Sequence, residues 1–211
     1  GDDTKTLVFT IGQKSLTISS ISIANKVYDR LNSATISGTP TLVGVYGSDV
    51  VTVTGSPTAT FNSINVANGI GVTLSGSYGL SGADAAKYTL TQPSGFTANI
   101  TPKALTVTGA VAQNKVYNGN TTATITGATL VGVESGDAVT VSGGGTFASA
   151  NVANSISVTA ALTLGGAQAG NYSLTQPTGL TANITQASQT ITFGALPAKT
   201  TADADFAPGA T

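Results

Sequence analysis

The sequence predicts an all-β protein made of two tandem immunoglobulin-like β-sandwich domains arranged as a rod. Three observations carry that expectation. Apolar and polar residues alternate over short runs, turn-forming residues punctuate the runs at intervals of about eight to twelve, and nearly the whole chain repeats itself once.

The alternation is clear at Leu16 and Ile18, Val51 and Val53, Val72 and Leu74, and Phe96, Ala98 and Ile100. A two-residue period is that of a strand with one buried face. In the first copy it gives candidate strands at 15–21, 25–29, 33–37, 49–55, 57–61, 70–76, 87–92 and 95–101. Gly, Pro, Asn and Asp separate them, and no window has a helical period.

Self-comparison aligns Lys26 to Arg30 with Lys115 to Gly119 at an offset of 89 residues, Asp49 with Asp137 at 88, Phe61 with Phe147 at 86, and Tyr88 with Tyr172 at 84. Each step in the offset marks a deletion in the second copy. The deletions fall in turn-like stretches such as Gly55 to Pro57 and Ser75 to Gly79, where surface loops tolerate them. The expected organisation is residues 1–14 as the end of a preceding repeat or a linker, 15–103 and 104–187 as the two repeats, and 188–211 as the truncated start of another. The join from Ile100 to Leu105 holds one proline and no Gly/Ser run, which restrains the relative orientation of the repeats.

Composition narrows function. Only 8% of residues are charged and the formal net charge is −1, so the clustered cations that bind nucleic acid are missing. The chain has no Cys and no His, which removes disulfides, thiolate chemistry, the usual general base near neutral pH and the commonest metal ligand. The expectation is a protein that is not an enzyme, with no catalytic, cofactor-binding or metal-ligating residue. No stretch approaches the roughly 20 apolar residues of a membrane-spanning helix, so no membrane insertion is expected of this segment. With no Met in the chain, it reads as a piece of something longer.

One local pattern supports the sandwich. Asp84 to Leu90 and Gln168 to Leu174 are similar to the tyrosine corner of immunoglobulin-type domains, in which a Tyr at the start of a strand hydrogen-bonds back to the preceding turn. The second copy carries Gln168 where the first has Asp84.

With these residues in view, the repeat resembles the YDG family of bacterial adhesin repeats, whose Tyr-Asp-Gly is approximated by Tyr28-Asp29-Arg30 and Tyr117-Asn118-Gly119. Further matches are the turns at Gly47 to Asp49 and Ser135 to Asp137, the Asn-Val-Ala-Asn segments starting at Asn65 and Asn151, and the segments ending at Tyr88 and Tyr172. The tail from Gln189 to Thr200 is similar to the opening of an MBG-type repeat. The resemblance implies tandem arrays in large exported bacterial proteins, and hence a stalk or spacer role outside the cell. The expected partners are neighbouring repeats of the same chain, and a cell-surface glycan or protein if loops at one end of a repeat bind a ligand. The chain itself is expected to be a monomer.

Several residues admit a sharper functional reading beside a plain structural one. Tyr28 and Tyr117 suit carbohydrate stacking, but their Asp, Asn and Gly neighbours supply turn chemistry, and a structural role is preferred. A calcium site at Asp49, Asp84 or Asp137 wants six to eight oxygen ligands, and no window holds a calcium-loop pattern. A self-made isopeptide bond would need Lys26 beside Asn99 or Lys115 beside Asn183, with Asp49 or Asp137 as the acid. Four Asn-x-Ser/Thr sequons, at Asn99, Asn120, Asn171 and Asn183, receive no function. The run Ser142 to Gly145 lacks a following Lys-Ser/Thr and is not a phosphate cradle.

Overall fold

A computed structural model describes residues 8–195. Among them the protein is all-β and sandwich-like, and its helical content is two three-residue 3-10 turns, Ala85–Lys87 and Ala169–Asn171. The expected strands are present, often in shorter pieces. Three strands that the alternation did not reveal, Ser22–Ile23, Thr41–Val43 and Gly79–Ser81, are two or three residues each, too short to show a period.

The chain divides into two compact units that do not follow the sequence repeats. One holds residues 8–106 together with Leu130–Thr140 and Leu164–Thr175, and the other holds Val107–Thr129, Val141–Thr163 and residues 176–195. The limits 15–103 and 104–187 therefore describe the repeat in sequence, whereas compactness cuts the second repeat in two. What was expected of residues 1–7 and 196–211 lies outside the described residues.

In the first unit, a five-stranded sheet runs in the order Lys26–Val27, Thr97–Thr101, Ala67–Ser75, Thr58–Phe61, Ser33–Ala34. Alternation places Ala59, Phe61, Ile70, Val72, Ala98 and Ile100 on its buried face. A three-stranded sheet from the second repeat contributes to the same unit: Lys103–Thr108 lies between Thr129–Val131 and Tyr172–Leu174, pairing in parallel with the latter from Lys103↔Tyr172 to Leu105↔Leu174. Leu105 and Tyr172 join Phe61, Ile100 and their neighbours in one apolar cluster, with Leu130, Val133 and Leu174 packed against it. The physical reason for the offset units is this burial. The second repeat's opening strand is drawn onto the first repeat's sheet because Leu105, at 0% exposure, buries its whole side chain there. A matching arrangement opens the first repeat, where Lys14–Ser19 pairs in parallel with Tyr88–Leu90 and antiparallel with Thr41–Val43.

The second unit carries a six-stranded sheet ordered Val111–Ala112, Thr122–Thr126, Thr140–Phe147, Ala153–Gly165, Leu180–Thr185, Lys115–Val116. Its first and last strands are separated in sequence only by Gln113 and Asn114, so the sheet curls until its edges approach. Along Ala153–Gly165 the buried residues are Ile156, Val158, Ala160 and Leu162, a strict two-residue period, and Phe147 and Ile184 close the interior at 1% exposure each.

If the second repeat's opening strand completes the first unit, Leu105→Ala lowers stability by roughly 2–5 kcal/mol, the range for emptying a buried leucine site. For the same reason, residues 8–103 expressed alone unfold at lower denaturant than a chain extended to residue 175. Guanidinium titration followed by circular dichroism reads both.

Candidate functional site

The densest polar construction in the first unit is built on Asp137, in the turn that follows Thr129–Val131. The Asp137 backbone N–H donates to the Glu134 carbonyl at 3.1 Å and closes the turn. Its carboxylate is 2% exposed. Tyr28 and Tyr172 both donate their hydroxyl protons to Oδ2, at 2.9 and 2.6 Å, and Arg30 Nε sits 2.9 Å from Oδ1. Arg30 Nη1 also donates to the Ser135 carbonyl. The two tyrosine rings meet edge to face with centroids 5.4 Å apart, a favoured aromatic geometry. Tyr172 further accepts from the Glu134 N–H at 3.0 Å.

Local sequence explains how each group arrives. Tyr28 follows the short strand Lys26–Val27, and its N–H donates to the Thr101 carbonyl. The turn after it is held by Asp29, whose Oδ1 accepts from the Leu31 N–H, and by Lys26, whose ammonium donates to the Leu31 and Ser33 carbonyls at 3.0 and 3.2 Å. Arg30 adopts φ +64°, the left-handed region that an L-residue enters at a cost of about 1 kcal/mol or more. The aligned Gly119 occupies the same region at φ +76° without that cost. Arg30 is kept there by its contacts to Asp137 and Ser135. Gly136 makes room for it, since a Cβ at that position would collide with the guanidinium.

A second bridge lies beside the first. Asn171, 7% exposed, accepts the Val66 N–H on Oδ1 at 2.9 Å and donates from Nδ2 to Asn65 Oδ1 at 3.2 Å. The first repeat has its own version of the Asp137 turn. Tyr88 donates to Asp49 Oδ2 at 2.7 Å and accepts from the Tyr46 N–H at 3.0 Å, while Lys87, aligned with Asn171, pairs with Asp49 at 3.1 Å and Asp84 at 2.7 Å.

The proton affinities follow from these contacts. Burial first, and then the hydrogen bond to Asp137, push the Tyr172 hydroxyl up to about 12 and raise that of Tyr28 as well. Tyr88 is raised chiefly by its bond to Asp49. Asp84 is held low by Lys87, and Lys87 is raised by Asp84 and then by Asp49.

Several expectations meet the structure here. The tyrosine corner is corrected: Tyr88 and Tyr172 do start strands, but their hydroxyls reach turns 35–42 residues earlier, at Tyr46 to Asp49 and Glu134 to Asp137, because those turns lie beside them across the sheet. The Asp84-to-Gln168 exchange is conservative in geometry, since Asp84 accepts the Val50 N–H at 2.8 Å and Gln168 accepts the Ala138 N–H at 2.9 Å. The isopeptide pairs are not brought together. Opposite Lys26 in the parallel register stands Ile100, and opposite Lys115 stands Ile184, so Asn99 and Asn183 project from the other face of the sheet. There they accept the Gly69 and Ser155 N–H groups at 2.8 Å. Lys115 instead donates to Asn120 and to the Thr122 carbonyl, and Asp49 and Asp137 are engaged with tyrosines. For calcium, Asp49 and Asp84 share the Lys87 ammonium, and no group of three or more Asp, Glu, His or Cys stands together among the described residues.

Sequence reasoning missed the structural duties of Asn171, Asn65, Gln92 and Gln176. Gln92 bonds both the N–H and the carbonyl of Tyr78, at 2.9 Å each, and Gln176 does the same to Leu162. The signal was recurrence: a Gln at matching positions of both repeats, in a protein otherwise rich in Thr and Ser.

Taken together, these are the features of a tandem-repeat β protein whose polar cluster fastens one repeat to the next. The YDG domain family model matches residues 12–95 and again 101–179, so the chain belongs to the YDG domain family as two tandem copies. No curated protein and no solved structure matches it.

Asp137→Ala leaves two buried phenol protons without an acceptor and should cost roughly 2–4 kcal/mol. Tyr28→Phe and Tyr172→Phe each cost less, and a double-mutant cycle of either with Asp137→Asn shows coupling beyond 0.5 kcal/mol. The pH response follows from Tyr172. Its folded pKa lies above the ordinary 10.0, so the folded state keeps a proton that the unfolded state sheds. That contribution is whole below pH 10 and is lost as pH rises toward about 12. Denaturant midpoints between pH 9 and 12 should therefore fall, and fall less in Tyr172→Phe.

Proposed function

We propose that the chain is a spacer segment of an exported bacterial surface protein, in which successive YDG repeats hold a binding tip away from the cell. The observation that supports this reading best is the shared core. Leu105 and Tyr172 from the second repeat complete the apolar cluster of the first, and the Asp137 cluster ties the same elements by charge-assisted hydrogen bonds. A join of that kind resists bending more than a free linker does, and reach is what a stalk supplies. In this reading the partners are neighbouring repeats, the setting is extracellular, and no catalytic step is involved.

A second reading, a module that binds a glycan or protein, draws on a groove that recurs in both repeats. In the first it has a volume of about 330 Å³ beside Leu74, Gln92, Pro93 and Phe96, and in the second the same volume beside Val158, Gln176, Pro177 and Leu180. The amides of Gln92 and Gln176 are already spent on the protein's own backbone, which leaves these grooves few groups to specify a ligand. The spacer reading is preferred.

Small-angle scattering decides the matter. The spacer reading expects an elongated particle whose maximum dimension shrinks or becomes ill-defined in Asp137→Ala as the join loosens. A compact particle, or saturable binding on a glycan array that is lost in Pro93→Ala and Pro177→Ala, would favour the binding module instead.

A further inference from the structure

We propose that two copies of this chain dock head to tail through a second Tyr–Asp–Tyr cluster, formed by Tyr117 of one molecule and the Asp49–Tyr88 pair of another. The inference stands on residue-by-residue comparison of the repeats and does not depend on the spacer reading.

Tyr28 and Asp137 each have an aligned copy that is more exposed, while Tyr88 is as buried as its counterpart Tyr172. Tyr28 is 2% exposed against Asp137, whereas Tyr117, the same residue of the second repeat, is 44% exposed. Val66, half-buried where Asn171 meets its N–H, corresponds to Val152 at 44%. On the acceptor side, the Asp137 side chain is 2% exposed and the Asp49 side chain 22%. Asp49 nevertheless has the same ready geometry, with Tyr88 on Oδ2 at 2.7 Å and the Tyr46 N–H on the Tyr88 oxygen. One molecule therefore displays a tyrosine turn at one place and the carboxylate that such a turn binds at another.

The exchanged residues are complementary, which argues for a second copy as the occupant. In the Asp137 cluster the tyrosine turn brings a cation, Arg30, and the acceptor turn has Gly136 to make room for it. In the proposed cluster both features are reversed. The tyrosine turn has Gly119 in place of Arg30, and the acceptor turn has Ser48 in place of Gly136. The cation now comes from the acceptor side, where Lys87 already pairs with Asp49. Each assembled cluster then holds one aspartate, one cation and two tyrosines, and side-chain bulk on one face meets glycine on the other. Because donor and acceptor surfaces differ, the contact is heterologous, and each molecule can engage one neighbour through its tyrosine turn and another through its acceptor turn. Both apolar cores are already built within one molecule, so the contact is a polar one, and the chain stays monomeric when dilute.

Sedimentation velocity over a concentration series tests the proposal. The wild-type sedimentation coefficient should rise with concentration, and it should stay flat for Tyr117→Ala and for Ser48→Trp. Ser48 is exposed, so its replacement spares the fold while blocking the acceptor turn. Tyr117→Ala keeps an intact acceptor and Ser48→Trp keeps an intact tyrosine turn. An equimolar mixture of the two should therefore associate and stop at the dimer. Circular dichroism melts check that both variants are folded. A wild type whose coefficient does not rise up to millimolar concentration overturns the proposal. So does association that persists unchanged in both folded variants, or a mixture that remains monomeric while the wild type associates.

Discussion

The first unit depends on a single carboxylate. Asp137 is buried to 2% exposure yet receives two phenol protons and a guanidinium, the conditions under which a carboxylate can be held inside a protein. Take away any of these donors and burial penalises what remains. Because the donors come from the first repeat at Tyr28 and Arg30 and from the second at Tyr172, the cluster forms only when both segments are folded and in place. The stability of the first unit thereby draws on residues more than a hundred positions downstream.

The same constraint explains why the repeat in sequence and the compact unit differ. A repeat begins with the strand Lys14–Ser19 or Lys103–Thr108, each paired in parallel with a strand late in its own repeat. In the second copy that small sheet packs Leu105 and Tyr172 on the five-stranded sheet of the copy before it. The second repeat is thus a sequence period made of two structural parts, one that caps the first repeat and one with an interior of its own. The shrinking offset between copies is tolerated because the deletions fall between these parts. Where the first repeat interrupts its strands at Gly55 to Pro57 and Gly76 to Tyr78, the second runs straight through in Thr140–Phe147 and Ala153–Gly165.

Strands were legible in the sequence wherever alternation ran for four residues or more, as at Thr97–Thr101, because burial of one face is a local, periodic demand. The strand Gly79–Ser81 was not, since three residues hold no period. The Asp137 cluster was half legible. The recurrence of Tyr28 with Tyr117, Asp49 with Asp137 and Tyr88 with Tyr172 marked all the participants, but nothing local says that Tyr28 meets Asp137 and not Asp49. That choice belongs to the packing of Leu105 and Tyr172, a tertiary fact. The isopeptide reading failed for the opposite reason. It matched residue types near the right strands without the face on which each side chain stands, and one position of register separates Ile100 from Asn99.

The two imperfect copies of the Tyr-Asp-Gly triplet show how such a cluster tolerates change. Glycine suits the third position because the turn needs a left-handed residue, and Gly119 meets that need at φ +76°. Arg30 meets it at φ +64° with strain, offset by its ion pair with Asp137 and by the space that Gly136 leaves. The aspartate of the triplet is replaceable for a similar reason. Asp29 accepts the Leu31 N–H and Asn118 the Asn120 N–H, and a side-chain amide oxygen closes that turn as a carboxylate does. The tyrosine stands in both copies, and only it supplies a rigid apolar ring together with a proton that can reach a buried carboxylate. Within the triplet, then, backbone conformation and turn closure have more than one chemical solution, while the group that joins one repeat to the next has been kept.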